Sequence, residues 1–304
     1  GGGTHLAMTR MASNVIARGE AETVLVVSAG KFPPIRDGGR ELMALVCDHA
    51  FEMPYGPSVP ALYGLIAQAW MHETGQGKAD IAEVTASQDR WAALNPAAIA
   101  HRSQRLSVED VLASRPIAGP FHFYHCSIPC EGGGALVLGS ARRARQGKHR
   151  PVHLLGFGEG HTHGFLTSLA RPGRTGAARS GPMAFERSGR APADIDIALL
   201  YDAFASNPAM ILEEAGFVKP GGAGDFYRDG RADPGGDLPV NTDGGLIRFG
   251  HTGTSSGISQ ILEGYWQLSG RAEGRQVFGA DTAFVHSYGS MLCSHVSMVM
   301  EGAS

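Results

Sequence analysis

The sequence predicts an α/β fold built from two copies of one unit. A small-residue turn, an amphipathic helix and an apolar strand open the chain, and the same order returns near its end. Between these copies, helical and strand-like segments alternate, and glycines gather in pairs and triplets rather than spreading evenly.

The first copy starts at GGGTH. The segment THLAMTRMASNVIARG places Met8, Met11, Ala12, Val15 and Ile16 at helical spacing, and Gly19 is a natural stop. TVLVVSAG then reads as a short, fully buried strand. Val59, Leu62, Tyr63, Ile66 and Trp70 outline a second helix, and ADIAEVTASQDRWAAL a third, interrupted by Asn95-Pro96. SVEDVLAS is a short helix with Ser107 as cap and Asp110 in capping-box position. FHFYHCS, GGALVLGS and PVHLLGFGEG read as strands. Residues 168–182 are polar, basic and rich in Gly and Pro, and are expected to join the two halves. Beyond them come a helix near Met183–Ser188, a strand at IDIALLYD and a helix over Asn207–Ala215. The second copy is GHTGTSSG, a helix with Ile258, Ile261, Leu262, Tyr265 and Leu268 on one face, and strands in RQVFGADTAFVHS and LCSHVSMVM. The glycine clusters 132–134, 221–222, 235–236 and 244–245 mark tight turns or close backbone approach.

Composition narrows the function classes. The 304 residues are 43% hydrophobic and 18% charged with a net charge of −3, which gives no electrostatic basis for binding nucleic acid or a membrane surface. No apolar run suits a membrane span or a signal peptide. Cys47, Cys126, Cys130 and Cys293 are too few for a disulfide framework, so a reducing cytoplasm is expected. The spacing of Cys126 and Cys130 lacks a second ligand pair, so no metal site is expected; His161 and His163 form a pair only on paper and are expected to line a loop.

Three stretches carry a resemblance. SVEDVLASRPIAGPFHFYHCSIPCEGGGALVL, YDAFASNPAMILEEAGF and NTDGGLIRFGHTGTSSG follow one another as the corresponding motifs do in the thiolase superfamily, in its lipid-transfer-protein or sterol-carrier type. Nearly the whole chain takes part. The resemblance implies a thiolase fold, a duplicated five-layered αβαβα arrangement. Residues 1–167 would form an N-terminal half that lacks its first strands and helices, 168–182 the junction, and 183–304 the C-terminal half. It also implies a homodimer.

The same resemblance assigns the site residue by residue. A thiolase uses a cysteine nucleophile, a second acid/base group and an oxyanion hole. The nucleophile position falls on or beside Gly2, although a linker remnant would also account for the glycine triplet. The His-Asp-Cys-Phe motif becomes Tyr201-Asp202-Ala203-Phe204. Tyr201 follows a strand, and a phenol there can donate a hydrogen bond, or act as a base if its pKa falls. His251 stands for the Gly-His-Pro histidine that hydrogen-bonds the thioester oxygen, with Thr252 in place of proline. The late Cys-x-Gly motif becomes His286-Ser287-Tyr288-Gly289, which makes His286 and Tyr288 candidates. Asn241, Gly244, Gly245 and Gly250 belong to the stretch expected to border coenzyme A.

Without a nucleophile, thiolysis stops, while a retained oxyanion hole still supports enolate chemistry. Bacterial steroid side-chain aldolases show the same substitutions. The resemblance to them therefore implies retro-aldol cleavage of a β-hydroxyacyl-CoA, with coenzyme A entering as part of the substrate, no tightly bound cofactor, and an OB-fold, zinc-ribbon partner protein. An acyltransferase of unusual type and a non-catalytic acyl-CoA-binding subunit are the alternatives. The loops at 31–58 and 160–182 are expected to shape the acyl pocket.

Overall fold

A glycine triplet leads directly into α1 (Thr4–Ala17) in the computed structural model, which describes residues 1–32 and 40–303; residues 33–39 of the expected pocket loop lie outside the described residues. Gly19, at φ +74°, closes the end of α1 as expected. The buried side is His5, Leu6, Thr9 and Ala12, whereas Met8 and Met11 are exposed. The helix period is as expected, but the face is rotated from the Met8–Met11 stripe.

β1 (Thr23–Lys31) pairs antiparallel with β4 (Glu131–Gly139), from Thr23 opposite Gly139 to Lys31 opposite Glu131. Gly132–Gly134 therefore lies inside a strand and not in a turn. A Cβ on Gly134 would strike Leu262, so the missing side chain is what lets a helix approach the ribbon. β1 is not the fully buried strand expected: Leu25 is 61% exposed, Val27 57%, and their neighbour Val137 73%. Only one face of the ribbon is covered among the described residues.

Between β1 and β4 the chain makes α2 (Arg40–Val46), α3 (Val59–Thr74), α4 (Lys78–Leu94), α5 (Val108–Ala113) and the small pair β2 (Pro116–Ala118) and β3 (Phe121–His122). Leu62, Tyr63, Ile66 and Trp70 of α3 are buried as predicted. Ser107 and Asp110 form the expected reciprocal cap on α5, each accepting the other's backbone N–H at 3.1 and 2.9 Å. FHFYHCS is a strand only at Phe121–His122, because residues 123–125 wind into a 3-10 turn closed by Cys126 N–H on Phe123 O.

After α6 (Ala141–Ala144), a four-stranded sheet is built in the order β5–β8–β7–β6 from β5 (Val152–His161), β6 (Ile197–Leu200), β7 (Thr282–Gly289) and β8 (Ser294–Gly302). β6 and β7 are parallel; the other pairings are antiparallel. β5 thus belongs to the second sheet, and the expected junction at 168–182 runs into α7 (Ala177–Ser188) within that unit. Gly158 and Gly160 of β5 bring its backbone close to Ser180 O and Gly176 O, which seats α7 on one face. α8 (Ser206–Glu214), α9 (Ala223–Arg228) and α10 (Gly245–Arg248) follow β6, and α11 (Gly257–Leu268) packs with α1 on the other face. Helix, sheet, helix pair and ribbon give four successive layers of the expected αβαβα order, with α1 and α11 in the central one. The duplication is visible as α1–β1–β4 against α11–β7–β8.

Candidate active site

β6 is buried at every position and ends at Leu200, so the next side chain, Tyr201, projects from the strand end. Two contacts fix that end. Tyr201 N–H donates to His286 O at 3.0 Å. The Asn241 amide accepts from Leu200 N–H at 2.6 Å and donates to Leu200 O at 2.9 Å, standing in for a neighbouring strand. Asp202 accepts the N–H groups of Leu246 and Ile247 at 2.8 and 3.2 Å and so ties α10 to the same strand end. Gly244 and Gly245 have φ +104° and +61°, a backbone that glycine adopts freely. Asn241, Gly244 and Gly245 are therefore buried behind Tyr201. Gly250 faces a cavity of about 750 Å³ that runs from Gly250, Thr252 and Ser256 to Trp266 and Arg271.

His251 is clamped through its main chain, its N–H on Ile128 O at 2.7 Å and its carbonyl under Cys130 N–H at 2.9 Å. Its side chain meets Tyr201, Nε2 to phenol oxygen, at 3.0 Å; the residues are 7% and 4% exposed. Gly253 N–H donates to His251 Nδ1 at 3.0 Å. Burial lowers the imidazole pKa to about 4, so the ring is neutral. With Nδ1 accepting, the ring proton is assigned to Nε2, and Nε2–H donates to the phenol oxygen. That leaves the Tyr201 O–H free to donate elsewhere. Burial raises the Tyr201 pKa well beyond that of an ordinary phenol, against a smaller opposing effect of the Ser256 hydroxyl, so the resting residue is an acid and not a phenolate.

The starts of the two central helices meet here. Gly2 lies against the Tyr201 ring, and Gly257, the first residue of α11, lies against Gly2 O. The positive ends of α1 and α11 thus converge beside the Tyr201–His251 pair and favour negative charge there.

Tyr288 joins this group. Its ring is 4.8 Å from that of Tyr201, edge on, and its hydroxyl accepts from the Asn207 amide. Tyr63 and Phe204 extend the aromatic wall. His286 stands behind Tyr288, with ring centroids 6.4 Å apart, and its side chain is spent elsewhere. His295 Nε2 donates to Leu292 O at 2.9 Å, so His295 Nδ1 accepts from His286 Nε2–H at 3.0 Å. Among the described residues, His286 Nδ1 is buried with no partner.

Ser256, Tyr63 and Asn207 were not singled out from the sequence, although the hydroxyl run in GHTGTSSG was a signal for the first. Asp243 was missed too: burial, then Glu263 beside it, raises its pKa above the usual carboxylate range. His161 hydrogen-bonds Ser294 Oγ, and His163 hydrogen-bonds Met291 O. Burial pushes the Cys126 thiol up to about 12, which makes it a poor nucleophile. No helix of the described residues is long and apolar enough to cross a membrane.

Comparison with known proteins adds a family. Residues 158–302 match the thiolase C-terminal domain-like family. The chain is 33% identical over 283 residues to the 17-hydroxy-3-oxo-4-pregnene-20-carboxyl-CoA lyase of Mycobacterium tuberculosis, covering 89% of this chain and 72% of the relative. It is 31% identical over 280 residues to the acetyl-CoA acetyltransferase of Methanothermobacter thermautotrophicus, covering 90% and 71%. A solved Ltp2–ChsH2(DUF35) aldolase superposes with a TM-score of 0.88 at 29% identity over 99% of this chain and 78% of that one.

Proposed function

Because the chain belongs to the thiolase superfamily, in its sterol-carrier type, we propose that this thiolase-like acyl-CoA enzyme cleaves a β-hydroxyacyl-CoA by a retro-aldol reaction. The observation that carries the reading is the Tyr201–His251 pair, joined at 3.0 Å with Gly2 packed against the phenol ring.

The pair supports a proton exchange. The β-hydroxyl gives its proton to the phenol oxygen of Tyr201 as the Cα–Cβ bond breaks and the β-carbon becomes a ketone or aldehyde. The bonding electrons pass into the thioester enolate. In the same concerted step Tyr201 gives its own proton to Cα, yielding the shortened acyl-CoA, so the phenol oxygen never carries two protons. A phenol that exchanges one proton for another never has to exist as a free phenolate, which suits its raised pKa. His251 Nε2–H and the two helix ends stabilise the negative charge as it forms, a type of effect for which removing one donor costs about 2.7–4 kcal/mol. Coenzyme A enters as part of the substrate, and no tightly bound cofactor is needed. The lyase and aldolase relatives support this reaction, and the aldolase's DUF35 subunit supports a partner protein of that kind.

The test offers a β-hydroxyacyl-CoA with a secondary or tertiary alcohol to the chain together with such a partner. Ketone or aldehyde should appear with the shortened acyl-CoA. If product forms equally well with Tyr201→Phe, Tyr201 has no role. The acetyltransferase relative favours a second reading, acyl transfer. It requires a covalent acyl-enzyme, which intact-mass measurement after acyl-CoA treatment would reveal. Partner-dependent binding of acyl-CoA without turnover would instead mark a non-catalytic subunit.

A further inference from the structure

We propose that Gly2 is the positioning residue for Tyr201: the phenol ring lies in the space left by the missing side chain, so a side chain at position 2 and the Tyr201–His251 pair exclude each other. A Cβ on Gly2 would fall on the Tyr201 ring at Cε2, 2.6 Å from Cζ, and 2.7 Å from Tyr288 O. Carbon–carbon contacts are normally about 3.5–4.0 Å, so the ring would have to retreat by about 1 Å or more. It is enclosed by the Tyr288 ring at 4.8 Å and the His251 ring at 5.7 Å. The glycine cannot easily yield, because Gly3 N–H is held by Tyr288 O at 3.0 Å and Gly257 abuts Gly2 O. Gly2 is not among the residues with positive φ, so glycine is required there for space and not for backbone conformation.

The chemical consequence is a choice of reaction. Any nucleophilic residue at position 2 begins with a Cβ, and that atom displaces the phenol from His251. Acyl transfer through this position needs a smaller residue at 201, whereas proton exchange through Tyr201 needs glycine at 2. Only the kinetic arm of the test rests on the retro-aldol reading.

In that arm, Gly2→Ala and Tyr201→Phe should each lower kcat about 100-fold, with KM changed less than about threefold. The double variant should fall no more than about threefold below Tyr201→Phe, since both changes remove the same phenol. Losses that multiply would overturn the proposal. The structural arm needs no turnover. A crystal structure of Gly2→Ala should show the Tyr201 oxygen withdrawn from His251 Nε2, and an intact bond would overturn the proposal. Gly2→Cys should be alkylated by iodoacetamide at least about tenfold more slowly than Gly2→Cys/Tyr201→Ala. Only the double should accept an acetyl group from acetyl-CoA, the introduced thiolate attacking the carbonyl carbon and coenzyme A leaving as its thiol. Equal alkylation rates would overturn the proposal. If Gly2→Ala does not fold, Gly2→Ala/Tyr201→Ala should still melt within about 2 °C of Tyr201→Ala. Failure of that double variant to fold would also overturn it. A wild type that cleaves no β-hydroxyacyl-CoA would defeat the reaction reading and leave the structural arm to decide this one.

Discussion

His251 and His286 are both buried, both neutral and both one hydrogen bond from Tyr201, yet they are wired in opposite directions. His251 reaches Tyr201 by its side chain, and His286 by its carbonyl oxygen. The main chain occupies Nδ1 of His251, which turns its proton toward the phenol. The proton of His286 turns toward His295, and from there the series ends on Leu292 O. Burial depresses both pKa values, so depression alone does not distinguish a reacting group from a packed one. What distinguishes them is where the remaining proton points.

The largest effect should come from removing the proton that points at Tyr201. His251→Ala is expected to lower kcat/KM about 10²–10³-fold, the cost of losing a donor to developing charge. His286→Ala should act mainly on stability, lowering it by about 2–4 kcal/mol because it opens a buried site and leaves His295 Nδ1 without its donor. Turnover per folded molecule should fall less than about tenfold. A reversal of these two outcomes, read from steady-state rates beside urea denaturation, would break the comparison.

Acid should affect both histidines together. Burial lowers the pKa of His125 and His251 to about 4 and of His295 to about 3, and holds His286 well below 6.5. The native state resists protons that the unfolded chain accepts near pH 6.5. Their contribution is therefore fully present above 6.5 and is lost as pH falls toward the folded values. Each histidine steepens the loss by up to about 1.4 kcal/mol per pH unit. Urea midpoints between pH 7 and 5 should drop steeply, and His251→Ala should flatten the slope by about one proton. A pH-independent midpoint would show that these rings are not held neutral.

Local signals carried much of this architecture and little of the site. The Ser107–Asp110 cap, the buried stripe of α3 and the Gly19 stop were legible because each depends on residues within a few positions of one another. The rotated face of α1 was not, since Leu6 and Thr9 are buried by distant elements while Met8 and Met11 satisfy the same period. The glycines of β4 looked like a turn because their reason for being small, Leu262 of α11, lies far along the chain. Tyr201 and His251 could be named from motifs, but not their mutual bond, and no periodicity indicates the tautomer that Gly253 N–H imposes. His286 was grouped with the site through its place in a motif, while its side-chain partner, His295, is set by the pairing of β7 with β8.

The smallest predicted effect tests the tautomer itself. Ser256 Oγ accepts Thr252 N–H at 2.8 Å and donates to Gly253 O at 3.0 Å, closing the turn that aims Gly253 N–H at His251 Nδ1. Ser256→Ala removes both bonds, and with them the hydroxyl beside the Tyr201 phenol, without touching the imidazole, so the nitrogen-15 spectrum and not the rate alone reads the tautomer. At about 1 kcal/mol for the net loss of such hydrogen bonds, kcat should fall about fivefold. The loosened turn lets the ring proton move to Nδ1, so Nε2 should show mixed protonation in nitrogen-15 spectra of labelled histidine, whereas the wild type should show Nε2–H alone. An unchanged spectrum would mean that the clamp on the His251 main chain, and not the turn, orients the ring, and the contrast with His286 would then rest on packing instead of proton direction.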